Sequence, residues 1–143
     1  MPRKLIETGL FEPIGPYSHA VRAGNQVFVS GTPGVDPATG QMAGAAAYEQ
    51  TAQAIRNVLA LVADAGGTER DIVHVQVNLV DVADFADMNR AYAEHFSTPY
   101  PARTVIGIAA LPKAGARLTL NAVAVLGERC LLYTSDAADE RSS

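Results

Sequence analysis

The apolar residues of this chain repeat with two different periods, and the order in which those periods alternate limits the folds open to it. From about Ala46 onward, Thr51, Ile55, Val58, Leu59 and Val62 recur at three- and four-residue steps and make one face of a helix. Between 72 and 80 the step falls to two. Val73, Val75, Val77 and Leu79 predict one side of a strand there, with His74, Gln76 and Asn78 on the other. A chain that passes between these periods builds a sheet covered by helices.

The remaining segments fit around these two. Residues 18–32 read as two short strands joined at Gly24-Asn25, a two-residue hairpin signal that supplies positive φ angles. Pro33, Gly34, Asp36-Pro37, Gly40 and Gly44 make 33–44 a loop, and Gly66-Gly67 stops the first helix. Asp81 or Asp84 is placed to cap a second helix whose buried stripe is Phe85, Met88, Tyr92 and Phe96. Thr98-Pro99-Tyr100-Pro101 ends that helix. Strands near 103–110 and 117–126 follow, separated by the loop Leu111-Pro112-Lys113-Ala114-Gly115-Ala116. The predicted order is ββαβαββ: an α+β fold, a small mixed sheet with two helices on one face and right-handed crossovers. In the last strand Leu118, Leu120, Ala122 and Ala124 alternate with Thr119, Asn121, Val123 and Val125, so neither side is frankly polar. The helix-free face is therefore expected to be an interaction surface, most simply within a closed symmetric oligomer.

The 143 residues suffice for one domain with its own apolar core. A net charge of −4, from 11 Lys+Arg against 15 Asp+Glu, argues against a nucleic-acid partner. No apolar run approaches the roughly 20 residues that span a bilayer, so no membrane partner is expected. The basic start from Met1 to Gly9 lacks the apolar stretch of a signal peptide, and a cytoplasmic location is expected. One cysteine excludes an internal disulfide, and three scattered histidines make no metal site. The segment from Cys130 to Glu140 reads like a translation of a transposase sequencing adapter. Residues 1–129 are accordingly taken as the domain and 130–143 as a non-native, disordered tail.

Five motifs then stand out: Ile14-Gly15-Pro16-Tyr17-Ser18-His19-Ala20, Val29-Ser30-Gly31, Asp84-Phe85-Ala86-Asp87-Met88-Asn89, Pro101-Ala102-Arg103-Thr104 and Leu111-Pro112. In their order and spacing, over roughly Ile6 to Leu126, the chain resembles the RidA (YjgF) family of reactive-intermediate imine deaminases. The resemblance implies a chorismate-mutase-like α+β fold and a homotrimer whose sheets pack into a central barrel. It implies clefts between subunits that bind small carboxylates, and hydrolysis of 2-imino or 2-enamino acids to 2-keto acids and ammonia. No cofactor is implied.

An α-imino acid carries a carboxylate beside an electrophilic carbon, and a guanidinium grips such a carboxylate through two parallel hydrogen bonds. By the resemblance, Arg103 falls on the family's carboxylate-binding arginine and Tyr17 on its tyrosine near the attacking water. Ser30 and Gly31 fall on the substrate-lining pair, and Asn89 on the neighbouring wall. His19, two residues after Tyr17, is a further candidate for the cleft. His74 reads as a polar group of its strand face, and His95 as a partner of a helix C-terminus.

Two positions depart from the family. Val105 stands where a cysteine is usual, and Thr119 where a glutamate orients the hydrolytic water. A positioned general base contributes about 10²–10⁴-fold, and Thr119 takes no proton near neutral pH. A weakened deaminase is expected; the alternative is a trimer that binds small carboxylates without turnover. The endoribonuclease activity of some relatives is disfavoured. Arg3, Lys4, Arg22, Arg56, Arg70, Arg90, Lys113 and Arg117 are dispersed, read mostly as solvated-face charges, and form no basic stripe.

Overall fold

Gly24 adopts φ +62°, and the tight turn it permits sets Ala23 opposite Gln26 and Ala20 opposite Val29. The hairpin so formed joins β2 (Ala20–Ala23) to β3 (Gln26–Pro33) in a computed structural model that describes residues 2–127. The segment 130–143, read from the sequence as a tail, lies outside the described residues. Around this hairpin stand β1 (Lys4–Leu5), α1 (Ala47–Asp64), β4 (Ile72–Leu79), α2 (Phe85–His95), β5 (Ala102–Gly107) and β6 (Leu118–Val125). They form one sheet in the order β1-β2-β3-β6-β4-β5, antiparallel throughout except for the parallel pair β4–β5. A parallel pair needs a crossover, and α2 supplies it. The two-helix mixed sheet is the expected α+β fold.

Several details differ from expectation. The order gains β1, two residues that are too short to show an alternation. In β4 the inward residues are Ile72, Val75, Val77 and Leu79, while Val73 is 46% exposed. The register against β6 slips between Ile72 and His74, which turns Val73 outward. Asp81, not Asp84, caps: its Oδ1 accepts from the Ala83 N–H at 2.9 Å in the single 3₁₀ turn Val82–Asp84 that leads into α2. Phe85 is 43% exposed and leaves the buried stripe to Met88, Tyr92 and Phe96. The strand placed near 103–110 ends at Gly107.

Helix α1 presents Ile55, Val58, Leu61 and Val62 to the sheet and packs across β3 and β6, with α2 alongside. Past its end, Gly66 takes φ +95°, and the Gly66 and Gly67 N–H groups donate to the carbonyls of Ala63 and Val62 at 2.9 Å each. Fully buried Ile55, Leu61, Leu79, Met88, Leu118 and Leu120 form the centre of the core. Burial of each such side chain is worth roughly 1.5–3 kcal/mol.

Two amides of α1 lie within that core. Gln50 Oε1 accepts from the Arg117 N–H at 2.8 Å, and its Nε2 donates to the carbonyls of Gly44 and Gly115, each at 2.9 Å. Asn57 Nδ2 donates to the carbonyls of Val35 at 2.8 Å and Pro33 at 3.2 Å. These bonds clamp the loops after β3 and before β6 onto the helix. The approach is so close at Gly34 that an added Cβ would lie 2.3 Å from the Gln50 carbonyl oxygen. Gln50→Leu leaves three backbone groups, of Gly44, Gly115 and Arg117, without their amide partner, and a loss of about 1–3 kcal/mol in urea unfolding is expected.

Candidate active site

Strand β5 is the sheet edge, and Arg103 pairs with Val75, whose side chain is buried on the helix side. The guanidinium therefore emerges beside α2. Its Nη1 donates to Asn89 Oδ1 at 2.8 Å and lies 3.9 Å from the Met88 sulfur. Its Cζ stands 4.7 Å from the Tyr92 ring centroid and 5.8 Å from that of Phe85, within cation–π range. Among the described residues no carboxylate pairs with Arg103, and its Nε and Nη2 have no hydrogen-bond partner. The group borders a cavity of about 370 Å³, walled by Tyr92, Ala93, Tyr100 and Pro101 with Asn89. Tyr92 carries a buried hydroxyl without a partner among the described residues, and burial pushes its pKa up to about 12 against the opposing pull of the Arg103 charge.

A second cavity opens at the middle of the sheet, beside β3 and β6. In β3 the register shifts between Val29, opposite Ala122, and Thr32, opposite Leu120, so Ser30 and Gly31 together face Asn121. This bulge turns Gly31 outward beside Thr119, where an added Cβ would meet Thr119 Oγ1 at an ordinary 3.7 Å. The Ser30 hydroxyl donates to the Ser18 carbonyl at 2.6 Å. Buried Thr119 accepts from Asn78 Nδ2 at 3.1 Å, and its own O–H has no acceptor among the described residues. Asn78 also donates to Asn121 Oδ1 at 3.2 Å and accepts from Gln76 Nε2 at 2.8 Å, a polar ladder across the helix-free face.

Half-exposed Tyr17 stands over this cavity, its ring edge-on to His19 at 6.0 Å between centroids. His19 does not line the cavity. It is buried, and its Nε2–H donates to the Phe11 carbonyl at 2.5 Å, holding the Phe11–Tyr17 segment in place. Together Tyr17, Ser30, Gly31 and Thr119 bound about 520 Å³, closed by Phe11, Ile14, Val35, Leu111 and Pro112. Lys113 borders the same space and is not simply a solvated-face charge. Nor is Arg117, which forms a two-pronged ion pair with Asp84 at 2.8 and 3.1 Å that raises its pKa. His74 bonds Thr104 Oγ1 at 3.2 Å, and His95 Nδ1 donates to the Ala91 carbonyl at 2.8 Å near the end of α2, both structural contacts.

The residues singled out from the sequence thus fall into two groups that do not meet within one chain. Arg103 and Asn89 share the first cavity; Tyr17, Ser30, Gly31 and Thr119 share the second. Strands β3 and β5 lie three strand spacings apart, about 14 Å. Arg103 projects on the helix side of the sheet and Thr119 on the other. Val105, opposite Val77, packs against the core below Arg103 and reaches neither Thr119 nor Gly31. Phe85 and Tyr92 beside Arg103 were hidden as core residues. The sign of their role was the spacing Phe85, Asn89, Tyr92, one helical face that carries Asn89 between two aromatics.

The family profile described as Endoribonuclease L-PSP matches residues 8–126. The chain belongs to this L-PSP/RidA family. It is 46% identical over 110 residues to the RutC family protein y4sK of Sinorhizobium fredii, covering 77% of this chain and 86% of that protein. It is 38% identical over 126 residues to the 2-iminobutanoate/2-iminopropanoate deaminase of Bos taurus, covering 87% and 91%. Among solved structures, RidA of a Psychrobacter species superposes with a TM-score of 0.82 at 35% identity, over 86% of this chain and 99% of that one. E. coli TdcF with bound serine superposes with a TM-score of 0.80 at 38% identity, over 87% and 99%. Among the described residues of this family member, no helix is long and apolar enough to cross a membrane.

Two substitutions probe the local geometry. Tyr92→Phe keeps the ring under Arg103 and removes the partnerless hydroxyl; stability by urea unfolding should hold or rise by up to about 1 kcal/mol. In the wild type, the raised pKa keeps this phenol neutral in the fold after it ionises in the unfolded chain. Its contribution to stability is therefore lost as pH climbs from about 10 to about 12, and the variant should lack that decline. Gly31→Ala should fold with unchanged midpoint, because its Cβ meets only an ordinary contact.

Proposed function

We propose that this protein hydrolyses 2-imino and 2-enamino acids to 2-keto acids and ammonium, in a cleft that two copies of the chain complete. The observation that carries the reading is the state of Arg103. A charged fork with two donor nitrogens unpartnered among the described residues, held by Asn89 and stacked on Tyr92, borders a cavity that no described Asp or Glu lines. That is the preparation a carboxylate needs, since both hydrogen bonds form without breaking an internal ion pair. The relatives of similar length named as 2-iminobutanoate/2-iminopropanoate deaminases support the same chemistry.

In the proposed reaction, Arg103 of one copy fixes the substrate carboxylate, and the Tyr17 and Thr119 hydroxyls of another face the imine carbon. Water adds to the C2 of the iminium and the C=N bond becomes a carbinolamine C–N bond. One proton passes from the added oxygen to nitrogen, the C–N bond breaks as the second proton of the added water follows it, and the keto acid and ammonium leave. Iminium plus water equals keto acid plus ammonium, with no redox step. Orientation contributes strongly to such an addition when the reacting atoms are held in contact. A homotrimer is the assembly proposed to bring the two cavities together, with the apolar and amide-bearing sheet faces turned to its centre.

One feature favours a second reading, carboxylate binding without turnover: among the described residues no Asp or Glu borders either cavity. The assay separates the two. An amino-acid oxidase or threonine dehydratase generates the imine, semicarbazide traps it, and the protein competes with the trap. The wild type should lower trapped imine, and Arg103→Ala should cut kcat/KM by about 10²-fold or more, since two charge-assisted bonds of about 1.5–3 kcal/mol each are lost. Arg103→Lys should recover little, being a point charge rather than a fork. Arg103 holds no ion pair among the described residues, so the solution mass should not change. Keto-acid binding with undiminished trapped imine selects the second reading, and an Arg103→Ala protein as active as wild type sinks the first.

A further inference from the structure

Residues 7–17 run from β1 towards β2 without forming a helix or strand, and Phe11, Ile14, Gly15 and Tyr17 of this strap border the larger cavity. We propose that His19, which borders neither Arg103 nor that cavity, is a positioning residue: it pins the strap to the sheet and so holds the Tyr17 hydroxyl in place. This rests on the proposed deaminase reading and adds to it a residue that acts through Tyr17.

Three observations carry it. Among the described residues, the bond from His19 Nε2–H to the Phe11 carbonyl, at 2.5 Å, is the one hydrogen bond that ties residues 7–17 to anything beyond them. The others are internal. Leu10 N–H donates to Thr8 Oγ1 at 3.2 Å, Tyr17 N–H to the Gly15 carbonyl at 2.8 Å, and Ile14 N–H to the Tyr17 hydroxyl at 3.5 Å. The last of these makes the hydroxyl move with the strap while leaving its own hydrogen to donate elsewhere. Next, packing does not replace the pin. Phe11 and Tyr17 also border a hollow of about 320 Å³, so each ring has open space beside it in two places. Both rings meet His19 edge-on, at 5.0 and 6.0 Å between centroids. Finally, His19 is itself fixed. It is buried, its carbonyl accepts from the Ser30 N–H at 2.9 Å, and the Ser18 carbonyl beside it accepts from the Ser30 hydroxyl at 2.6 Å. One imidazole thereby relates Tyr17 to the Ser30-Gly31 wall across the same cavity.

Two substitutions divide the roles of this side chain. His19→Phe keeps an aromatic ring and removes the donor, whereas His19→Gln keeps a donor and removes the ring; His19→Leu serves if the phenyl ring does not fit. In the imine-trapping assay His19→Phe should lower kcat by about tenfold, since misplacing a reacting group by a fraction of an ångström to an ångström costs that much. KM should stay within about threefold, because Arg103 of another copy holds the carboxylate, and His19→Gln should recover kcat to within about threefold of wild type. Added to Tyr17→Phe, His19→Phe should cost nothing further, the signature of a residue that acts through that hydroxyl. Wild-type kcat in His19→Phe, no recovery in His19→Gln, or losses that add in the double variant overturns the proposal. Chymotrypsin nicking after Phe11 and Tyr17 of the native protein reads the pin without turnover. It should be about fivefold faster or more in His19→Phe than in wild type, and close to the wild-type rate in His19→Gln. Equal nicking in all three overturns the pin. A wild type that leaves trapped imine undiminished overturns the deaminase reading instead, and the nicking rates then decide the role of His19 alone.

Discussion

One buried amide holds the loops of this fold in place. Gln50 sits on the apolar face of α1 with no exposure to solvent, yet both polar atoms of its side chain are matched to backbone outside the helix. Inside a core, a matched amide is worth having and an unmatched one costs several times as much, so the arrangement is all or nothing. The two segments it joins to α1 are the loop after β3 and the loop that carries Leu111, Pro112 and Lys113. Asn57, two helical turns on, holds the start of the first loop in the same way. The walls of the larger cavity are thus fixed by α1 from behind, and loops with no regular structure of their own gain a helix's rigidity.

The sheet imposes the second constraint. Because residues on adjacent positions of a strand point to opposite faces, Arg103 and Thr119 cannot share a pocket while their strands belong to one flat array. The guanidinium is served entirely from the helix side, by Asn89, Tyr92 and Phe85 of α2. The hydroxyls are served from the helix-free side by the Asn78 ladder. Each group is well supported where it stands, and the chemistry proposed for them asks for a second chain rather than a rearrangement of the first.

Much of this was legible in the sequence because it rests on periodicity. The inward run Val75, Val77, Leu79 and the stripe Ile55, Val58, Val62 are where hydrophobic steps alone put them. Legibility failed where a local irregularity changed the count: Val73 faces out because the register slips beside it, and β1 is too short to carry a pattern. It failed also where a residue serves two masters. Phe85 and Tyr92 have core chemistry and appear as core, yet one is exposed and both stack on Arg103. Gln50 and Asn57 are polar, and polarity on a helix suggests water rather than the fully enclosed positions they occupy. The Arg103 and Tyr17 regions were recognisable through motif resemblance, which also implied clefts between subunits, but the strand order and the facing of each residue were needed to sort them into two groups.

The bulge at Ser30-Gly31 has a consequence for how this strand tolerates change in length. Val27 and Val29 point inward at a step of two, and the next inward residue, Thr32, comes after a step of three. The additional residue re-phases everything that follows, so that Pro33 and the loop clamped by Asn57 arrive on their proper sides. Deleting one codon here would leave every strand residue chemically suitable and the second half of β3 inside out. Variation in this family member should therefore enter by replacement at Ser30 and Gly31 and be barred from entering by insertion or deletion, a reading-frame rule imposed by geometry.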